Sequence, residues 1–555
     1  MAMDLLKFIY REAEGSKLKM TTASFMSGMS RGMLLATINA TAANTFSRNT
    51  DHFYILYFIL YLFLYITSSY YVKVNSSILI EKAKHRLTMR LADKLMLAEL
   101  GFIESYNKSE LYQKIRMDVN VVCNVANTLL NSSQAAILLF FCLVYIAWLV
   151  PIALFFTLIG IIIGVATYLI QHRKIIEKIK LARSTAVEFT ERLRDLISGF
   201  KELKVNTGKR NDFQEHMVTV SNKHRSLNVE VTKLETISFL TTQIFIFTLI
   251  AVVIFILPQI YPINETITFQ FFASILFLIG PLETLISSYQ NIAKANISLE
   301  NILKLETDID DSAPEYTGTG KLINSEFNDV RLENIFFNYQ KNNTDDKFTI
   351  GPINMKIKRG EILFIVGGNG TGKTTLLKLI TGLYTPSSGQ ILINGEKLTS
   401  DNNQNYRELF TTIFTDFHIF KKLYGIGTLD EKKLHTILDK LKLTDKTSIK
   451  DGRFTSTNLS RGQMKRLAYL ITCFDNREIY IFDEFAADQD PNFKKYFYYT
   501  ILPELKNDGK TVIAVTHDDN YYDACDRLIK MDNGKIVSEP LKSVLANQYD
   551  IENQA

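Results

Sequence analysis

A strand-like run, EILFIV, leads into Gly367-Gly368-Asn369-Gly370-Thr371-Gly372-Lys373-Thr374-Thr375 and on into TTLLKLITGL. That spacing, set between a strand and a helix, is a phosphate-binding loop. Its glycines let the backbone curl so that N–H groups face phosphate oxygens, and the following helix N-terminus adds a favourable dipole. In that chemistry Lys373 reaches the β- and γ-phosphates and Thr374 ligates Mg2+. Further on, EIYIFDE places Asp483 and Glu484 at a strand end. Asp483 is suited to the Mg2+ shell, and Glu484 to orienting or deprotonating an attacking water. TVIAVTHDD ends another strand at His517, which can donate a hydrogen bond to a γ-phosphate. A lone histidine is usually structural, so this role depends on its neighbours. Tyr339, in ENIFFNYQ, could stack on adenine or simply pack. ATP and Mg2+ are the expected ligands.

These residues need a parallel sheet with helices on its faces. The C-terminal part supplies one, since apolar strands (EILFIVG, EIYIFDE, TVIAVTH) alternate with helical stretches. The N-terminal part is different. The chain has 555 residues, 47% of them hydrophobic and 22% charged, which fits two unlike halves averaged together. Apolar runs at Phe53–Val74, Ala135–Leu149, Ile152–Ile170, Phe239–Leu257 and Phe269–Tyr289 are membrane-span candidates. Met20–Phe46 is weaker, but its density of small residues favours close helix packing in a bilayer. It completes six transmembrane helices. The expected domains are 1–304, membrane; 305–326, a polar, acidic linker; and 327–555, nucleotide-binding.

Charge sets the orientation. Lys73–Asn120 carries nine Lys/Arg and Gln171–Glu235 carries fourteen, whereas Val150-Pro151 and Pro258–Thr268 carry none. The two basic segments are therefore expected in the cytoplasm. Apolar residues at three- and four-residue spacing (HRLTMRLADKLMLAEL, ARSTAVEFTERLRDLISGFKEL) predict helices that continue the spans beyond the bilayer. A net charge of +5 does not suggest a nucleic-acid partner. Cys123, Cys142, Cys473 and Cys525 form no disulfide or metal pattern, and the N-terminus lacks the features of a signal peptide.

In sequence order, Gly367–Thr374, the segment LSRGQ at Leu459–Gln463, Asp483-Glu484 and His517 resemble the motifs of ATP-binding-cassette (ABC) ATPases. Six spans before one cassette resemble an ABC exporter half-transporter. The resemblance implies a type IV exporter fold: a helical membrane domain fused to an α/β P-loop cassette. In that family the signature segment caps the nucleotide of the opposite cassette. Ser460, Gly462 and Gln463 would then serve a second copy's ATP, and a homodimer follows. Asp490, within Ala487-Asp488-Gln489-Asp490, matches the last position of the family's SALD segment.

Two departures stand out. Aligning Ile419-Phe420 with the family's Leu-Phe places Thr415 where glutamine normally touches Mg2+, with Asp416 next to it. Either could substitute, so Asp416 is a candidate metal ligand. Arg461 replaces a glycine. The segments SGFKELKVN, TDF, GRFTSTNLSRGQMKRLA and DEFAADQDPNF resemble the exporters of cyclic peptides and siderophore peptides. That resemblance implies peptide-like cargo leaving through a bacterial inner membrane; a lipid or hydrophobic-drug flippase is the alternative. Gly101–Tyr112 and Ser198–Arg210 are the candidate coupling tips. Arg31, deep in the first span, needs a partner or water, and Glu283 is the candidate partner. The aromatic run Phe53–Tyr71 could face lipid or line a pathway.

Overall fold

The computed structural model describes residues 17–46, 53–106, 108–256, 259, 265–312, 327–338, 348–427 and 430–538. Its contacts divide the chain into two units, one of residues 1–97 and 106–311, the other of 98–105 and 312–555.

The first unit contains α1 (Lys17–Phe46) and α2 (Phe53–Leu97). A short helix, α3 (Leu100–Ser105), follows in sequence but belongs to the second unit. The first unit then continues with α4 (Val119–Leu149), α5 (Pro151–Ser198), α6 (Phe200–Val205), α7 (Thr207–Ala251) and α8 (Glu265–Ser312). A long helix lies at each of the six expected spans. Among the described residues, Phe53–Leu97, Glu110–Leu149 and Ile267–Ser312 are long and apolar enough to cross a membrane, and Pro151–Thr167 is a shorter apolar stretch. At 1.5 Å per residue, a 48-residue helix such as α5 reaches about 72 Å, more than twice the thickness of a hydrocarbon core. The extension beyond the bilayer is thus in place. Val150 breaks the helix with an extended backbone, and Pro151 opens the next at a position where no N–H is needed.

Small residues pack α1. A Cβ added at Gly28 would sit 2.7 Å from Ile137, and one at Gly32 would sit 2.8 Å from Phe141. The two glycines, four residues apart, let α1 lie directly against α4.

Outside the apolar segments the long helices are held by charge. Arg90 pairs with Glu306 at 2.9 Å and Lys94 with Asp310 at 2.6 Å, joining α2 to α8. These pairs keep α8 helical to Ser312, although the sequence turns acidic from about Leu305, where the linker was expected; residues 313–326 lie outside the described ones. Asp118 closes a π-helical turn, Lys114–Asp118, and is 1% exposed. It pairs with Arg183 of α5 and accepts from Ser298 (3.1 Å) and Asn301 (3.2 Å) of α8. One carboxylate thereby pins three helices.

The second unit is built on a six-stranded sheet. Its strands, with those of a smaller sheet, are β1 (Asp329–Asn338), β2 (Thr349–Lys358), β3 (Ile362–Val366), β4 (Ser388–Ile393), β5 (Glu396–Lys397), β6 (Phe410–Ile413), β7 (Ile479–Asp483), β8 (Thr511–Val515), β9 (Arg527–Asp532) and β10 (Lys535–Ser538). The order of the large sheet is β10-β9-β3-β8-β7-β6, parallel except for the edge strand β10. The antiparallel sheet runs β2-β1-β4-β5. Every residue of β3, β7 and β8 is buried, as expected of parallel strands covered on both faces. Alternate side chains feed two cores, with Ile362, Phe364 and Val366 in one and Leu363 and Ile365 in the other.

The segment 98–105 packs on this second core. Leu100 lies against it, Glu104 pairs with Lys378 at 2.7 Å and accepts from the Tyr384 hydroxyl, and Glu99 accepts from Thr385 at 2.9 Å. The other expected tip, around α6, stays with the first unit and exposes Ile197, Phe200 and Val205.

Asp118→Ala leaves Arg183 unpaired. Because Arg183 keeps partial exposure, the expected loss of stability is about 2 kcal/mol, below that of a fully buried pair. A lowered thermal midpoint of the detergent-solubilised protein checks it, and an unchanged midpoint would contradict the pinning role.

Candidate nucleotide-binding site

The phosphate loop joins β3 to α9 (Lys373–Ile380). Gly367 must be glycine, because with φ +150° an added Cβ would lie 2.3 Å from the Met531 carbonyl oxygen. The Lys373 ammonium donates to the carbonyls of Gly367 (2.9 Å) and Gly368 (2.8 Å), and burial holds its pKa below the usual lysine value.

Asp483 ends β7 and is 1% exposed. Its Oδ2 accepts from Thr374 Oγ1 at 2.9 Å and from Thr415 Oγ1 at 3.0 Å. Its Oδ1 is buried with no hydrogen-bond partner. Burial pushes its carboxyl above the ordinary carboxylate range. A buried carboxylate oxygen lacking a donor, beside a threonine hydroxyl, is a good fit for a hard cation such as Mg2+. Among the described residues, no three His, Cys, Asp or Glu side chains are placed to hold a metal ion together. Mg2+ takes one or two protein oxygens and completes its shell with phosphate and water. Of the two candidates at the missing glutamine, Thr415 touches Asp483, while Asp416 is exposed.

Glu484 follows in the left-handed region, φ +50°. Its N–H donates to the Val515 carbonyl at 3.1 Å, and its carboxylate lies 3.3 Å from Nε2 of His517. Lys373, Thr374, Asp483, Glu484 and His517 thus gather where β3, β7 and β8 end, the usual ligand crevice of an α/β sheet. Tyr339 lies outside the described residues.

The signature segment opens α10 (Arg461–Asp475). Ser460 is the N-cap: its Oγ accepts from the Gln463 N–H at 3.3 Å, while Gln463 Oε1 accepts from the Ser460 N–H at 3.1 Å. Gln463 is therefore engaged in a capping box. A Cβ at Gly462 would lie 2.5 Å from the Asp488 carbonyl oxygen, so only glycine fits. Asp490 caps α11 (Pro491–Tyr496), accepting from the Phe493 N–H at 3.0 Å, and pairs with Arg466 at 2.6 Å. No hydrogen bond joins Ser460–Gln463 to the phosphate loop among the described residues. Lys465, Arg466 and Gln489 link this helix to the segment after Glu484. Nothing in the sequence marks this link, because a lysine and an arginine on a helix read as solvated surface.

In the membrane unit, no ion pair joins Arg31 to Glu283 among the described residues. Arg31 lies over the Tyr65 ring, 5.3 Å from its centroid, and Glu283 accepts from Gln243 at 3.2 Å. Depth along a span did not reveal helical face. Phe53, Phe58 and Phe63 of the aromatic run are exposed; Tyr54, Tyr61 and the also exposed Tyr57 line an open cleft of about 600 Å3 with Tyr145, Trp148 and Gln270.

A curated relative, the ATP-binding protein SyrD of Pseudomonas syringae pv. syringae, is 33% identical over 476 residues, covering 82% of each chain. The chain belongs to the ABC transporter family. The model of the ABC transporter transmembrane region matches residues 20–280 of this transporter, and the model of the ABC transporter cassette matches 350–487. An ATP-dependent lipid A-core flippase of Paraburkholderia xenovorans is 25% identical over 81% of this chain and 77% of its own. A solved bacterial Atm1-family ABC exporter with ATP bound shares the fold, with a TM-score of 0.78, 17% identity and 95% coverage of both chains. The protein is thus an ATP-binding, ATP-hydrolysing ABC transporter of the type IV exporter fold, with membrane helices and cassette in one chain.

Gly462→Ala drives a methyl group into the Asp488 carbonyl. The expected outcome is a loss of about 1–3 kcal/mol in cassette stability together with lower ATP turnover. Differential scanning fluorimetry and a phosphate-release assay check the two effects.

Proposed function

We propose that two identical copies of this ABC exporter use ATP to move a cyclic or otherwise modified peptide, a class that includes siderophore peptides, outward across a bacterial inner membrane. The observation that carries the two-copy reading is the split of the site. Lys373, Thr374, Asp483, Glu484 and His517 converge at the strand ends, while Ser460 and Gly462 form a separate edge with no hydrogen bond to the phosphate loop among the described residues. One chain holds halves of two sites.

In this reading the N–H groups of Gly367–Thr375 and the Lys373 ammonium hold the phosphates. Mg2+, held by Thr374 and Asp483 with the Thr415 hydroxyl alongside, would neutralise phosphate charge. Glu484 orients and deprotonates the attacking water, and His517 steadies Glu484 and reaches the γ-phosphate. Ser460 and the Gly462 N–H cap the other copy's nucleotide from a helix N-terminus. Asp490 acts on the site by capping α11 beside that edge. ATP closes the cassettes, hydrolysis reopens them, and the long helices carry the motion to the spans. The exposed Ile197, Phe200 and Val205 suit a docking contact with the second copy.

The peptide reading is supported by the segments in both halves that resemble cyclic-peptide exporters. The uncharged tyrosine-lined cleft and the Arg31 guanidinium offer aromatic and anionic groups a place to bind. The relatives named as lipid A-core flippases support lipid export as the second reading.

Transport into inside-out vesicles separates the readings. ATP-dependent uptake of a cyclic peptide supports the first, lipid translocation the second, and neither would leave an ATPase that transports nothing. Glu484→Gln is expected to bind ATP, to hydrolyse it at least about 100-fold more slowly and to accumulate as a closed dimer on size-exclusion chromatography. Sustained turnover would rule out Glu484 as the base. Arg31→Ala is expected to reduce transport by about tenfold while basal ATPase stays within about twofold. Equal losses of both would refute a cargo contact at Arg31.

A further inference from the structure

Lys465, in the second turn of α10, is 1% exposed. A buried ammonium is stable only when paired and hydrogen-bonded. Its Nζ donates to the backbone carbonyl of Glu484 at 2.6 Å and pairs with the Asp488 carboxylate at 2.7 Å. Both partners lie in the turn that follows β7. Glu484 is a non-glycine residue in the left-handed region, a conformation that persists only where its surroundings over-determine it. Three hydrogen bonds restrain its backbone: its N–H donates to the Val515 carbonyl, and its carbonyl accepts from the Ala487 N–H at 3.3 Å and, more closely, from Lys465, the one side chain among them. Lys465 therefore helps fix the direction in which the Glu484 carboxylate leaves the chain.

The same helix carries Ser460 and Gly462 at its start. Further bonds join its first turns to the same segment: Gln489 Nε2 donates to the Gly462 carbonyl at 2.9 Å, and Arg466 Nε donates to Gln489 Oε1 at 2.8 Å. Arg461 faces Asp488 at 3.4 Å. Asp488 stands where the SALD pattern has alanine, which could not pair with a lysine. Its carboxyl is held below the usual range, chiefly by the Lys465 hydrogen bond, so it remains an anion at neutral pH.

We propose that Lys465 is a positioning residue that ties the signature edge serving one nucleotide to Glu484, the base at the other. The link rests on the two-copy reading above. Capture of one ATP by Ser460 and Gly462 shifts the start of α10, and Lys465 transmits that shift to the backbone of Glu484 in the same chain. Each site thereby senses the occupancy of the other through one ammonium.

The test uses the full-length protein in detergent or nanodiscs. Lys465→Met keeps the side-chain length and removes the charge. It is expected to lower kcat by about tenfold with KM for ATP within about twofold of the wild type. Lys465→Met/Asp488→Asn, which leaves no unpaired carboxylate, should show the same kcat loss if the single variant folds poorly. In a double-mutant cycle, Ser460→Ala is expected to cost about tenfold in kcat alone but less than about twofold on top of Lys465→Met. Losses that multiply, or a rise in KM with kcat unchanged, would overturn the link. Full-rate hydrolysis by a single copy, seen by light scattering beside the assay, would overturn the two-copy reading; the kcat of Lys465→Met would still report the hold on Glu484.

Discussion

Much of the nucleotide site depends on how the chain turns at the end of β7. Asp483 is still in the sheet, buried and bound by two threonine hydroxyls, while Glu484 has already left it in a left-handed conformation. Adjacent carboxylates in one strand would point to opposite faces; the abrupt turn lets both serve the same crevice. That turn is held through the N–H and the carbonyl of Glu484, by β8, by α10 and by the Ala487 N–H three residues on. The site is thus made by the meeting of a strand, its parallel neighbour and a helix, all anchored in the same core.

The membrane unit follows a different rule. Its helices cannot be sorted by hydrophobicity within lipid, so close packing and polar pairs do the sorting. Gly28 and Gly32 bring α1 against α4, and Asn39 donates to Ser274 at 3.1 Å to join α1 to α8. Beyond the apolar segments the pairs become ionic: Arg90–Glu306, Lys94–Asp310, Lys178–Glu230 and Lys294–Glu235. Most of these are partly exposed and individually weak. Their value is in fixing which helix lies beside which.

The sequence made much of this legible because the relevant signals are local. A glycine-rich loop between a strand and a helix, or an apolar run ending in two acids, carries its meaning within about ten residues. Contacts that depend on helical face were hidden. Arg31 and Glu283 sit at plausible depths, yet Tyr65 and Gln243 take them. Lys465 is buried only because the segment after Glu484 folds over it, which its neighbours in sequence do not announce. The acidic end of α8 reads as a linker until Lys94 and Arg90 are seen beside it. Thr415 was one of two candidates, and only the fold brings its hydroxyl to Asp483.

Asp118 gives the membrane unit a mechanical property. It joins α4, α5 and α8 at one level outside their apolar segments, with α4 continuing to Leu149 beyond it. A helix moved sideways at that level strains its bond to the same carboxylate that holds the other two, so the three are coupled there.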